Sequence, residues 1–170
     1  MSSTPVGLTR DAGFEIGVSR TVDAPPDRVW RSLTEPAGVA IWLGGGVRIP
    51  DPDGAKGTPY RTADGTRGEF RSVHPVGRLR LTWQPPDRDR PSIVQLTVSA
   101  RAGRTVIRFH QERMTGPDER ERQRAHWRAV MDAVVDRLTD AVADRLDRPD
   151  GTVTSPSAPR RPRADRSPTS

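Results

Sequence analysis

The sequence predicts an α+β fold in which a curved antiparallel sheet wraps around one long C-terminal helix. Three observations carry this. The segment Pro117 to Leu146 repeats apolar residues at helical spacing, most of the chain before it alternates with the period of strands, and two short helical stretches follow the first strand directly. Strands gathered first and a long helix last is an α+β order.

Taken in order, residues 1–12 carry no periodicity and read as a loose arm. From Phe14 the even positions Phe14, Ile16, Val18 and Val22 are apolar, while Glu15, Ser19, Thr21 and Asp23 alternate with them, which predicts a half-buried strand. Arg20 falls on the apolar side. An inward arginine can hold an acidic ligand, although near a strand end it more often snorkels or pairs with a carboxylate. Ala24-Pro25-Pro26-Asp27 breaks the strand and opens a short helix through Leu33 that buries Val29, Trp30 and Leu33. Glu35-Pro36 interrupts it, a second short helix runs to Trp42, and Gly44-Gly45-Gly46 ends that one.

From Val47 to Gly68 the chain is rich in Gly, Pro and Asp, which predicts a loop and then a hairpin turning at Asp64-Gly65. The glycine run is not a phosphate loop, since no GK[ST] follows and no long helix opens there. Three further strands are predicted at Glu69–His74, Leu79–Trp83 and Ile93–Ala100, the latter two joined through Pro85-Pro86-Asp87 and a charged run to Pro91. Ala102-Gly103 turns the chain into a last strand, Thr105–Glu112, whose Ile107, Phe109 and Gln111 alternate with Val106, Arg108 and His110. About five or six antiparallel strands result.

The long helix follows. Trp127, Val130, Met131, Val134, Leu138, Ala141 and Val142 share one face that must be covered, over a length of roughly 44 Å. Thr115 and Gly116 can cap it, Pro117 suits its first turn, and Asp118, Glu119 and Glu121 favour the positive end of its dipole. Arg145 and Arg148 sit at the other end, before Pro149 and Gly151. Residues 149–170, dominated by Pro, Ser, Thr and Arg with no apolar pattern, read as a disordered tail, so 13–148 is the predicted domain.

Composition narrows the function classes. A chain of 170 residues suits one domain with a core and room for a modest cavity. The absence of cysteine excludes disulfides, thiolate metal sites and a Cys nucleophile. No apolar run approaches the ~20 residues needed to span a bilayer, and the N-terminus lacks a signal-peptide core, so a cytoplasmic protein without membrane insertion is expected. Lys56 is the only lysine, and residues 148–170, with five arginines and two aspartates, hold half of the net charge of +6. The domain itself is weakly basic. Tail arginines Arg160, Arg161, Arg163 and Arg166 without aromatics supply at most weak, salt-sensitive contact with nucleic acid or anionic lipid, so nucleic acid is not the expected partner.

Four phrases carry a resemblance: SRTVDAPPDRVWRSLTEPAGVAIWL (Ser19 to Leu43), GEFRSVHPVGRLRLTW (Gly68 to Trp83), TVIRFHQE (Thr105 to Glu112) and HWRAVMDAVVDRL (His126 to Leu138). In order and spacing they resemble the SRPBCC superfamily, also called START-like or Bet v-like, in the branch named for the activator of the heat-shock-protein-90 ATPase. The resemblance implies a helix-grip fold with an apolar cavity between sheet and helix. The residues reach the same picture separately, because two facing apolar surfaces that do not close everywhere leave a concave site. Members of this branch often have His where Gln111 stands and Gly where His126 stands. Gln111 hydrogen-bonds but is no general base, so the resemblance carries no proton-transfer role to that position.

Other chemistry has little support. His74, His110 and His126 show no metal-ligand spacing, no Gly-x-Ser-x-Gly elbow occurs, and the row Asp132, Asp136, Asp140 and Asp144 lies off the apolar face. Neither cofactor nor metal is expected. Trp42, Trp83 and Trp127 serve equally as core or as pocket wall. The expected function is binding of a small hydrophobic or aromatic molecule, with Arg20, Trp42, Phe70, Trp83, Phe109, Gln111 and Met131 as lining, and with cyclase-, lyase- or hydrolase-like turnover implied by the resemblance. The alternative is a non-catalytic module that engages a chaperone or a second copy of itself.

Overall fold

Period-two alternation produces seven strands among the described residues, and these join edge to edge into one open, curved antiparallel sheet. The computed structural model describes residues 8–9 and 13–146, with side chains from 13 to 141; the tail 149–170 lies outside the described residues. In chain order the strands are β1 (Leu8–Thr9), β2 (Gly13–Val22), β3 (Pro59–Arg61), β4 (Arg67–His74), β5 (Arg78–Trp83), β6 (Ser92–Arg101) and β7 (Arg104–Met114). The helices are α1 (Pro26–Thr34), α2 (Pro36–Trp42) and α3 (Pro117–Leu146). Across the sheet the order is β1-β2-β7-β6-β5-β4-β3, so the first long strand lies beside the last. Leu8–Thr9, inside the segment predicted to be an arm, pairs with Gly13 and Phe14.

Turn chemistry fixes the register. Ala102 and Gly103 both take positive φ, 49° and 76°, the two-residue turn whose twist matches its flanking strands, and Arg101 pairs with Arg104 across it. From there the register runs to Ile93 opposite Glu112, which turns Ile107, Phe109 and Gln111 inward, all buried. The predicted Asp64-Gly65 hairpin forms between β3 and β4, closed by the Thr62 amide donating to the Thr66 carbonyl at 2.9 Å.

Prolines at the first turns of α1 and α2 start both helices, and Val29, Trp30, Leu33, Val39 and Trp42 bury against the sheet and α3. The helices meet closely at Gly38, where an added Cβ would lie 1.8 Å from the Ser32 carbonyl oxygen. At Gly44 the backbone takes φ 120° as the chain leaves α2, a conformation that disfavours any side chain.

The apolar face of α3 lies over the sheet as expected: Trp127, Val130, Met131, Val134 and Leu138 are buried. Ala141, assigned to that face, is exposed, because this part of α3 lies beside α1 and not over a strand; the Val142 side chain lies outside the described residues. Among the described residues no helix is long and apolar enough to cross a membrane.

The Gly38 contact yields a test. Gly38→Ala should destabilise the fold by about 1–3 kcal/mol through overpacking, read as a lower urea midpoint. Wild-type stability would mean that α2 can shift away from α1 at little cost.

Candidate functional site

Three side chains organise the space between sheet and helix. β7 presents Phe109 and Gln111 inward, and α3 brings Trp127 down onto them. The Phe109 and Trp127 rings stack with centroids 4.8 Å apart and planes 18° apart, and Trp42 also packs against Phe109, tilted by 40° at 5.9 Å. The Trp127 Nε1–H donates to Gln111 Oε1 at 2.8 Å, Gln111 Nε2 donates to Ser92 Oγ at 2.9 Å, and Ser92 Oγ–H donates to the Trp83 carbonyl at 3.1 Å. A fully partnered polar chain therefore crosses the apolar interior, from helix to the end of β5, as burial of such groups requires.

At the end of that chain the packing opens. Trp83 is only half-buried, and His126 leans toward it at a ring separation of 6.3 Å while meeting Trp127 edge-on at 5.0 Å. Partial burial lowers the His126 imidazole pKa from its ordinary value, although the residue keeps an exposed edge. Beside Trp83 lies a concavity of about 420 Å³ between the β5–β6 connection and the start of α3, apolar only at Trp83 and Pro85 and otherwise walled by charged and polar side chains such as Asp87, Arg88, Glu119 and Arg122.

That wall is braced. Arg88 Nε donates to Glu119 Oε1 at 2.6 Å, its Nη2 donates to the Arg113 carbonyl at 2.7 Å, and its Nη1 donates to the Arg90 carbonyl. Glu119 also accepts from the Thr115 amide at 2.6 Å and the Thr115 hydroxyl at 2.7 Å, which caps α3. Burial alone would raise the Glu119 pKa; the hydrogen bonds from Arg88 and Thr115 outweigh it and hold the carboxyl below its usual range.

Of the residues predicted to line a cavity, the structure gathers Trp42, Phe109, Gln111 and Met131 into this interior, each at 2 % exposure or less. Phe70 is equally buried but sits further along the sheet, against Tyr60 at 5.4 Å. Trp83 stands at the opening. Arg20 lies apart from them: it is exposed and reaches across to Asp132 of α3 at 2.7 Å, the carboxylate pairing common near a strand end. The Arg88–Glu119 brace was missed, because Arg88 sits in a run read only as a connection and Glu119 was assigned to the helix dipole. His74 is exposed, and His110 Nε2 lies 3.4 Å from Glu15.

An open antiparallel sheet gripping a long C-terminal helix, with two short helices after its first long strand, defines a helix-grip protein. The family described as Activator of Hsp90 ATPase homolog 1-like protein matches residues 23–143, well over half of the chain. The chain belongs to that family, a branch of the SRPBCC superfamily. No curated protein matches it.

Solved structures share the fold. DynU16, a protein of the dynemicin biosynthetic locus, is 24% identical with a TM-score of 0.62 over 74% of this chain and 47% of that one, so the chain spans about half of DynU16. CalU16 from Micromonospora echinospora is 22% identical, with a TM-score of 0.58 over 71% of each chain. The Aha1 dimer from Colwellia psychrerythraea is 15% identical, with a TM-score of 0.54 over 72% of this chain and 93% of that one.

Two outcomes are expected here. Gln111→Leu should cost about 1–3 kcal/mol by leaving the buried Trp127 N–H without an acceptor, and most of that cost should vanish in a Trp127→Phe background when the double-mutant cycle is measured by urea denaturation. Additive costs would show that the bond contributes nothing specific. The second concerns acid. Since the folded pKa of Glu119 lies below its unfolded value, near 4.3, its stabilisation is complete above that value and is lost as pH falls through the folded one. Glu119→Gln should therefore lower the urea midpoint at neutral pH and flatten its fall on acidification; an unchanged acid profile would remove Glu119 as a contributor.

Proposed function

We propose that the protein binds a small, mainly hydrophobic molecule, aromatic in preference, at the Trp83 end of the seam between the sheet and α3. The observation that carries this is the concavity beside the half-buried Trp83 indole, braced by Arg88 and Glu119 and backed by the Ser92–Gln111–Trp127 hydrogen bonds. A planar ligand can lie on that indole while its polar edge meets Arg122 or Gln123, whose Oε1 has no hydrogen-bond partner among the described residues. A neighbour in fold from the dynemicin biosynthetic locus, DynU16, is in keeping with a small-molecule role. Gln111 is closed in by its own partners and is no base, so the reading is one of binding, with the Trp83 ring placing the ligand.

The second reading is a protein–protein module. It rests on four arginines, Arg61, Arg67, Arg71 and Arg113, that flank a shallow concavity on β3, β4 and β5 and suit an acidic partner surface; the Colwellia psychrerythraea neighbour is a dimer.

Native mass spectra of freshly purified protein, compared with denatured spectra, test the first reading together with a thermal-shift screen of aromatic and acyl compounds. A bound mass is expected, or a stabilisation that grows with ligand to about 2.7 kcal/mol at a hundredfold excess over Kd. Trp83→Ala should weaken that binding about tenfold. An empty protein that no compound stabilises would sink it, and a salt-sensitive complex recovered with a chaperone or a second copy would favour the module.

A further inference from the structure

A second groove lies at the other end of α3, far along the helix from Trp83. Arg28, Arg31 and Ser32 share one face of α1, with Glu35 just past its end, and Ala133, Asp136, Arg137, Asp140 and Ala141 share one face of α3. Where these faces meet, Ser32, Ala133 and Ala141 are too short to fill the space. A groove of about 550 Å³ remains, with Ile41 and Leu138 as its apolar surface.

Its charges are unevenly satisfied. Arg137 Nη2 donates to Glu35 Oε1, but Arg137 Nε and Arg28 Nη2 are shielded from solvent and find no hydrogen-bond partner among the described residues. Unpartnered guanidinium donors favour an anionic acceptor once their side chains turn toward the groove, and a guanidinium fork matches a carboxylate in shape. Asp136 and Asp140 also line the groove; they disfavour a doubly charged head more than a singly charged one.

The geometry points to this groove as a binding site for a monocarboxylate with an apolar body, its head on Arg28 and Arg137 and its chain along Ile41, Leu138 and Ala141. The site is separate from the one at Trp83 and shares no residue with it.

Calorimetric titration of the full chain with decanoate, decyl phosphate and decanol tests it. Decanoate binds with one-to-one stoichiometry and tighter than either other probe, and Arg28→Gln weakens it about tenfold through loss of one charge-assisted hydrogen bond. Ala133→Phe, at an exposed position, fills the groove and removes binding while leaving the circular dichroism unchanged; it decides the matter alone if Arg28→Gln fails to fold. Trp83→Ala leaves decanoate affinity as it was. Decanol bound as tightly as decanoate, an affinity indifferent to Ala133→Phe, or a loss on Trp83→Ala instead would each overturn the assignment.

Discussion

Trp127 makes two demands that a simple apolar core cannot meet together: its ring must leave water and its N–H must keep a partner. The sheet meets both from one strand, through Phe109 stacked on the ring and Gln111 accepting from the nitrogen two residues later. Gln111 then needs an acceptor for its own amide and finds it in Ser92, at the start of β6. The arrangement depends on register. A one-residue slip of β7 would replace Phe109 and Gln111 with Arg108 and His110, and the helix would lose its seat.

Once α3 is seated at Trp127, its two ends are left to other means. Near its start the helix is tied by Arg88 and Glu119, whose side chains are only 9% and 12% exposed. Further along, Arg20–Asp132 and Arg137–Glu35 connect it to β2 and to the end of α1, and these more exposed pairs set position more than they add stability. Both grooves are found where the apolar seam gives way to such charged groups. A close-packed middle with polar, open ends leaves concavities at the ends of the helix and not along it.

Position 111 shows what family membership does and does not carry. The strand, the inward direction and the burial at this position follow from the fold. The chemistry does not. In this chain the side chain bonds an indole and a serine hydroxyl, a structural use of an inward polar position.

Much of the fold was legible in local pattern. The bounds of α3, the two proline-started helices and the turns at Asp64-Gly65 and Ala102-Gly103 follow from periodicity and from residues that tolerate special backbone angles, which act over a few neighbours. The inward faces of β5, β6 and β7 were legible for the same reason. What tertiary structure alone decided is which of those inward residues face one another: that Gln111 meets Trp127 and Ser92, that Arg20 finds Asp132, that Arg88 reaches Glu119, and that Ala141 faces a groove. Those partners lie 16 to 112 residues apart. Alternation along a strand says which way a side chain points, whereas its partner is set by the order of strands in the sheet and the path of the helix across it, and no local spacing encodes either.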